Sequence, residues 1–213
     1  MPHTRLILVR HGETVANRSF RYIGASDEPL SEHGVTQAQQ LAGALACLPV
    51  KAVYSSPLQR AYRTAIPIAE CLGLVARQLD ALRECSFGAW EGLTRAEVLA
   101  SGEEYARQLQ AWERDTALAP PGGESFSEMQ QRVRDAVEQL AREHADQAIA
   151  LVSHVGPIKA LLCTALNAPL TSVSRIFLDP ATISVIDWRD SDHAVVRLVN
   201  SHAHMGWSSA RWM

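Results

Sequence analysis

The sequence predicts an α/β protein with a mainly parallel sheet, on three observations. Short apolar runs, Leu6 to Val9, Ala52 to Tyr54 and Ile149 to Val152, each end in a polar or glycine-containing turn. A helix-like segment follows each turn, the alternation expected of βα units. The chain end is instead β-rich, Arg175 to Leu178, Ile183 to Trp188 and His193 to Val199, with turn signals at Asp179-Pro180 and Arg189 to Asp192. Antiparallel strands completing one sheet edge would read this way.

Between the first two runs the pattern predicts a helix over Glu32 to Cys47, and after the second a helix over Leu58 to Leu72. Ala76 to Leu79 reads as a further short strand. Helices are then expected at Thr94 to Ala100, within Glu103 to Arg114, over Ser125 to His144 and over Gly156 to Leu166. The Ser-x-x-Glu spacing of Ser125 and Glu128 matches a capping box and starts the long helix. The least regular stretch is Glu84 to Gly123, with Trp90, Trp112 and "APPGGES". It reads as a lid inserted over the sheet at about 87–123, within one domain spanning 1–213.

A chain of 213 residues with 47% hydrophobic and 20% charged residues and a net charge of −3 is ordinary for a globular protein. That balance argues against a general nucleic-acid or membrane-surface binder, so an anion site must be local. No apolar run approaches the roughly 20 residues that cross a bilayer, and no signal-peptide pattern precedes the first run, so a cytoplasmic location is expected. Cys47, Cys71, Cys85 and Cys163 are widely spaced without a C-x-x-C pair. They predict buried thiols rather than disulfides or a zinc site.

In open α/β sheets ligands bind beyond the carboxyl ends of the parallel strands. Arg10-His11-Gly12 follows the first run and Ser153-His154-Val155-Gly156 follows the run before the last helix. "YSSPLQRAYRTA" places Arg60 about one turn into the helix after the second run. If those strands are neighbours, Arg10, His11, Arg60 and His154 share one cleft. Two guanidiniums and a protonated imidazole suit a phosphoryl group, and a second, neutral imidazole could attack phosphorus. Gly12 would let the backbone approach the phosphate. A departing alkoxide needs a proton, and Glu84 in "LRECSFGAWEG" is the preferred source, with Glu13, Glu91 and Glu124 as competitors.

These landmarks resemble the histidine phosphatase superfamily, the group of cofactor-dependent phosphoglycerate mutases and many phosphatases. "LVRHGET" with Asn17, "GASDEPLSEHGVTQA", "VYSSPLQRAYRTA", "LRECSFGAWEGL", "PGGES" and "LVSHVGPIK" fall in the family's order across nearly the whole chain. The resemblance implies a phosphoglycerate mutase-like, three-layer α/β/α fold around a mainly parallel mixed sheet. It implies His11 as nucleophile and Glu84 as proton donor. Arg10, Arg60 and His154 would form the phosphate pocket, with Asn17, Gly24 and the Val155 backbone assisting. Two departures are Val15-Ala16, where an acidic-Trp pair is common, and Val155, where Gly is common.

The implied activity is metal-independent hydrolysis of a small phosphorylated metabolite through phosphohistidine, with no cofactor and no metal ligands. "FGAWEGLTRAEV" is similar to the phosphatases and lacks the longer insertion of the mutases. The alternatives are phosphoglycerate mutase-type transfer and a non-catalytic phosphate-binding module, whose mark would be loss of His11 or Glu84. "FRYIGASDEPLSEHG" is similar to α-ribazole phosphatases and to broad-specificity relatives acting on phosphosugars and phosphoserine. Arg18 and Arg21 read equally as partners of a second anion or as solvated loop charges. His202 and His204 read as a chain-end or cleft pair rather than metal ligands, and His3, His33, His144 and His193 as surface or turn residues. Trp90 and Trp112 read as pocket lining or as lid packing. Edge strands and helices near the C-terminus would support a homodimer, although no sequence feature requires one.

Overall fold

Successive side chains of a strand point to opposite faces, and the first strand uses both. Leu6 and Leu8 enter one buried cluster, while Ile7 and Val9 enter another. In the structure, a computed structural model that describes residues 3–206 and not the Arg18 side chain, this strand is β1, Thr4–Arg10. It is followed by α1 (Glu32–Leu45), β2 (Val50–Ser55), α2 (Gln59–Cys71) and β3 (Ala76–Gln78). Then come α3 (Arg95–Ala100), α4 (Glu103–Trp112), α5 (Phe126–Glu143), β4 (Ala148–Ser153), α6 (Val155–Ala165), β5 (Ile183–Trp188) and β6 (Ala194–Ser201).

The strands form one mixed sheet of order β3-β2-β4-β1-β5-β6. β3, β2, β4 and β1 are parallel, and β5 and β6 are antiparallel, as expected of the chain end. α1 and α2 bury Leu41, Leu45, Ala65 and Ile68 against one face. α5 and α6 bury Met129, Val133, Val137, Ile158 and Leu162 against the other. Three layers result because the central strands are apolar on both sides and each face needs its own helices. Among the described residues no helix is long and apolar enough to cross a membrane.

Two expectations need correction. Arg175 to Leu178 is not a strand: Leu170–Arg175 winds as a 3-10 turn, and Leu178 is buried outside the sheet. β5 already occupies that side of β1, and the Leu178 carbonyl accepts from the Arg10 guanidinium instead. Of the four thiols only Cys85 and Cys163 are buried; Cys47 and Cys71 are exposed beside helix C-termini. His144 lies in the turn after α5, as expected, and is half-buried with its Nε2 2.9 Å from the Tyr54 hydroxyl. The Ser125–Glu128 capping box is formed as expected, with the Ser125 hydroxyl accepting from the Glu128 amide.

Candidate active site

Register brings the strand ends level. Arg10 pairs with Ser153 across β1 and β4, and Ser55 with Val152 across β2 and β4. The ladder continues one residue further, with His11 N–H donating to Ser153 O (3.0 Å) and Ser56 N–H to Val152 O (2.9 Å). His11 and His154 therefore meet, their ring centroids 5.1 Å apart and tilted by 58°. Both are buried, at 4% and 0% exposure.

The His11 ring has a defined tautomer. Its Nδ1 lies 2.7 Å from the Gly12 carbonyl, which can only accept, so Nδ1 carries the hydrogen and Nε2 keeps a lone pair. Burial first, then the fields of Arg60 and Arg10, hold this imidazole well below the ordinary histidine range. The neutral, nucleophilic form is thus the resting one. His154 is held low by the same causes, burial first and Arg60 next. Its Nε2 is 2.8 Å from Ser56 Oγ, which itself accepts from Leu58 N–H (3.3 Å). His154 Nδ1 is a buried ring nitrogen without a hydrogen-bond partner among the described residues.

The two arginines are set by carbonyls. Arg60 is the second residue of α2, earlier than the one-turn position expected, and is 2% exposed. Its Nη1 donates to Ser26 O (2.7 Å) and its Nη2 to Gly24 O (2.8 Å). Gly24 thus enters the site through Arg60, in a left-handed conformation (φ 46°) where an added Cβ would lie 2.5 Å from Glu91 Oε1. Arg10 Nη1 donates to Leu178 O. Gly12 serves packing rather than the phosphate approach expected of it. Its N–H donates to Thr64 Oγ1 (3.0 Å), and a Cβ there would meet the Gly34 carbonyl of α1 at 2.6 Å.

Glu84 faces the amino end of α6. Both carboxylate oxygens accept from Gly156 N–H at 3.2 Å, and Oε1 also accepts from Cys85 N–H at 2.9 Å. Glycine at 156 leaves room for this carboxylate, because an added Cβ would lie 2.2 Å from Glu84 Oε1 and push it aside. Val155, the first residue of α6, brings its amide to the same helix end. The competing carboxylates are occupied elsewhere. Glu124 makes a two-pronged pair with Arg132 (2.6 and 2.7 Å), Glu13 accepts from Ser31 Oγ (3.0 Å), and Glu91 accepts from the Ala25 and Ser26 amides (2.8 and 2.9 Å). Burial, then Glu84, drives the Cys85 thiol far upward, so it stays protonated and inert.

Other sequence candidates take different places. Asn17 Oδ1 accepts from Thr14 N–H (3.0 Å) in a capping box over Val15–Arg18, so the Asn17 side chain shapes the nucleophile loop. Arg21 is bound to Glu97 (2.7 Å) and Gly92 O (2.6 Å), so its guanidinium is engaged by the 87–123 stretch. The Arg18 side chain lies outside the described residues. His202 pairs with Asp179 at 3.0 Å and His204 Nε2 donates to Ala181 O (2.9 Å). Trp90 and Trp112 pack within the lid, with Trp112 stacked on Phe126 of α5 (5.0 Å). Ser56 and Lys159 were missed, and Glu91 was named only as a competing proton donor. Ser56 was legible as the residue just past a strand end. Lys159, half-buried in α6, has its ammonium pKa lowered by burial and then by Arg10, so it belongs to the same cationic field.

The sequence profile of the histidine phosphatase superfamily (branch 1) matches residues 6–201. The chain belongs to that superfamily. Among the relatives of this superfamily member, a bifunctional protein of Mycobacterium tuberculosis is 41% identical over 203 residues, 95% of this chain and 55% of that protein. The chain thus spans about half the length of that relative. Phosphoserine phosphatase 1 of Hydrogenobacter thermophilus is 35% identical, covering 95% of this chain and 94% of its own length. The solved structure of mycobacterial glucosyl-3-phosphoglycerate phosphatase superposes with a TM-score of 0.83 at 33% identity, covering 93% of this chain and 99% of that one. The phosphoglycerate mutase-like fold expected from the sequence is therefore the one observed.

Proposed function

We propose that this histidine phosphatase hydrolyses a small phosphate monoester through a phosphoryl group carried on His11 Nε2. The observation that carries the reading is the His11 tautomer: a buried, neutral imidazole whose lone pair is left to Nε2, among two guanidiniums and a second imidazole. In the first step Nε2 forms a bond to phosphorus and the bond from phosphorus to the ester oxygen breaks. Glu84 gives its proton to that oxygen, and the alcohol leaves. Arg10, Arg60 and the Nδ1–H of His154 donate to the phosphoryl oxygens as charge grows on them. The Val155 amide and Asn17 act in support. Water then attacks the N–P bond, Glu84 takes its proton, and inorganic phosphate departs with His11 neutral again.

The charge neutralisation in this scheme comes from side chains, so neither a metal nor a cofactor is required. The named activities of the relatives support phosphoserine and glucosyl-3-phosphoglycerate as test substrates, and the "FRYIGASDEPLSEHG" segment adds α-ribazole phosphate. We take 1–213 as one cytoplasmic domain with 87–123 as the lid that selects among them.

The test is release of phosphate from p-nitrophenyl phosphate with and without EDTA, followed by the three named esters, 3-phosphoglycerate and bisphosphoglycerate. The scheme expects turnover untouched by the chelator and free phosphate as product. Transfer to a second hydroxyl would make the protein a mutase, and binding of phosphate without turnover would make it a binding module.

A further inference from the structure

One buried histidine–carboxylate contact has no part in the scheme above. Asp179 and His202 lie 3.0 Å apart, each with a side chain 5% exposed. Burying two ionisable groups is costly and is repaid only when geometry and further hydrogen bonds are good. Here each group still has a buried atom without a partner among the described residues, Asp179 Oδ1 and His202 Nδ1. The backbone around the pair is also held in uncommon conformations, with Ala181 at φ 57° and Asn200 at φ 54°. Non-glycine residues in this region persist where surrounding contacts fix them, and such positions concentrate at functional sites.

The turn that carries Asp179 touches the catalytic backbone at three points. The Leu178 carbonyl accepts from Arg10 Nη1, Ala181 N–H donates to the His11 carbonyl (3.0 Å), and Arg10 N–H donates to the Thr182 carbonyl (3.1 Å). Thr182 closes the turn from within, while β6 and the residues just after it grip the turn from outside. Asp179 N–H donates to Asn200 Oδ1 (2.8 Å), Thr182 Oγ1 to Asp179 O (2.7 Å), and His204 Nε2 to Ala181 O (2.9 Å). His202 and Asn200 together close this clamp on Asp179 Oδ2, His202 Nε2 at 3.0 Å and Asn200 Nδ2–H donating at 3.3 Å.

We infer that Asp179 and His202 are positioning residues for Arg10. Resting on the proposed function, they fix the Leu178 carbonyl that aims the Arg10 guanidinium at the phosphoryl group. Neither residue touches substrate. A guanidinium that loses its rest is displaced most harmfully in the transition state, where charge on the phosphoryl oxygens is greatest. The signature is a fall in kcat larger than the rise in KM.

The experiment is a double-mutant cycle in the full chain with p-nitrophenyl phosphate. His202→Ala and Asp179→Asn are each expected to lower kcat about tenfold with less than about threefold change in KM. His202→Gln, which keeps a donor for Asp179, is expected to restore kcat to within about threefold of the parent. In an Arg10→Ala background, His202→Ala is expected to cost less than about twofold more, because its route of action is gone. Unchanged kcat in Asp179→Asn, or the same tenfold loss with and without Arg10, would overturn the inference. Calorimetric binding of vanadate, which adopts the five-coordinate geometry of the transition state, gives the second arm, with affinity falling about tenfold in the His202→Ala and Asp179→Asn variants and restored by His202→Gln. Parent protein that binds vanadate but hydrolyses nothing contradicts the hydrolase reading alone. Vanadate affinity indifferent to Asp179 and His202 contradicts the positioning role alone.

Discussion

The two sides of the cleft hold their functional groups by different means. On the sheet side His11, Ser56 and His154 each stand one residue beyond a parallel strand, and ladder hydrogen bonds set their height and separation. On the facing side, Phe87, Trp90 and Glu91 lie in and beside a short 3-10 segment, Gly88–Trp90, held by side chains. Tyr22, Phe87, Trp90, Trp112 and Phe126 form its aromatic cluster, while Glu91 ties it to the Ala25 and Ser26 amides. A ladder fixes backbone atoms cooperatively, whereas a side-chain cluster fixes a surface that can be rebuilt by substitution without disturbing the sheet. On the proposed function, the contrast assigns the phosphoryl chemistry to the sheet side and discrimination among esters to the side built by 87–123.

Substitutions on the two sides should therefore separate. The largest loss is expected for His11→Ala, at least about 10⁴-fold in kcat, as when a nucleophile is removed from a catalytic unit. Steady-state turnover of p-nitrophenyl phosphate measures it. Next, Arg60→Ala should cost about 10²- to 10³-fold, by analogy with loss of an oxyanion donor. It should also move the pH profile. Burial and then Arg60 hold the His11 imidazole below its usual range, so the acid limb of kcat/KM is expected below pH 6.5 in the parent. Removing the cation raises that pKa and shifts the limb upward; a limb that stays in place would assign it to another group.

Glu84 stands at the junction of the two sides. Glu84→Gln is expected to slow alkyl phosphates about 10²-fold and p-nitrophenyl phosphate much less, since a good leaving group needs little protonation. Equal losses on both esters would remove Glu84 from the proton-transfer role. The smallest effect on turnover is expected for Trp112→Ala. Thermal unfolding should show a stability loss of about 3 kcal/mol from the emptied aromatic cluster. Hydrolysis of p-nitrophenyl phosphate by the folded fraction should stay within about threefold, while preferences among larger esters shift.

Legibility in the sequence follows the same divide. Apolar runs ending in Arg-His-Gly and Ser-His-Val announced both strands and cleft residues, because buried parallel strands write continuous hydrophobic stretches. Helix α5 was equally plain from its Ser125–Glu128 box. What escaped were long-range partnerships. Gly12 reads as a phosphate cradle until the Gly34 carbonyl is found against it, and nothing near Arg21 in the sequence announces Glu97. Arg175 to Leu178 carries strand-like residues, yet β5 occupies the edge they would need. His202 gave no local sign of Asp179, 23 residues earlier in a separate turn. Contacts made by tertiary packing have no fixed sequence spacing, and the lid consists mostly of such contacts.

The claim that the sheet side carries the chemistry turns on where the phosphoryl group rests. Rapid acid-free quenching of the parent protein during turnover of a ³²P-labelled phosphate monoester, followed by peptide mapping, tests it most directly. The account predicts an acid-labile, alkali-stable label on the peptide containing His11, lost in His11→Asn and retained in Trp112→Ala. Label on His154 or on a carboxylate, or full turnover by His11→Asn, would contradict it.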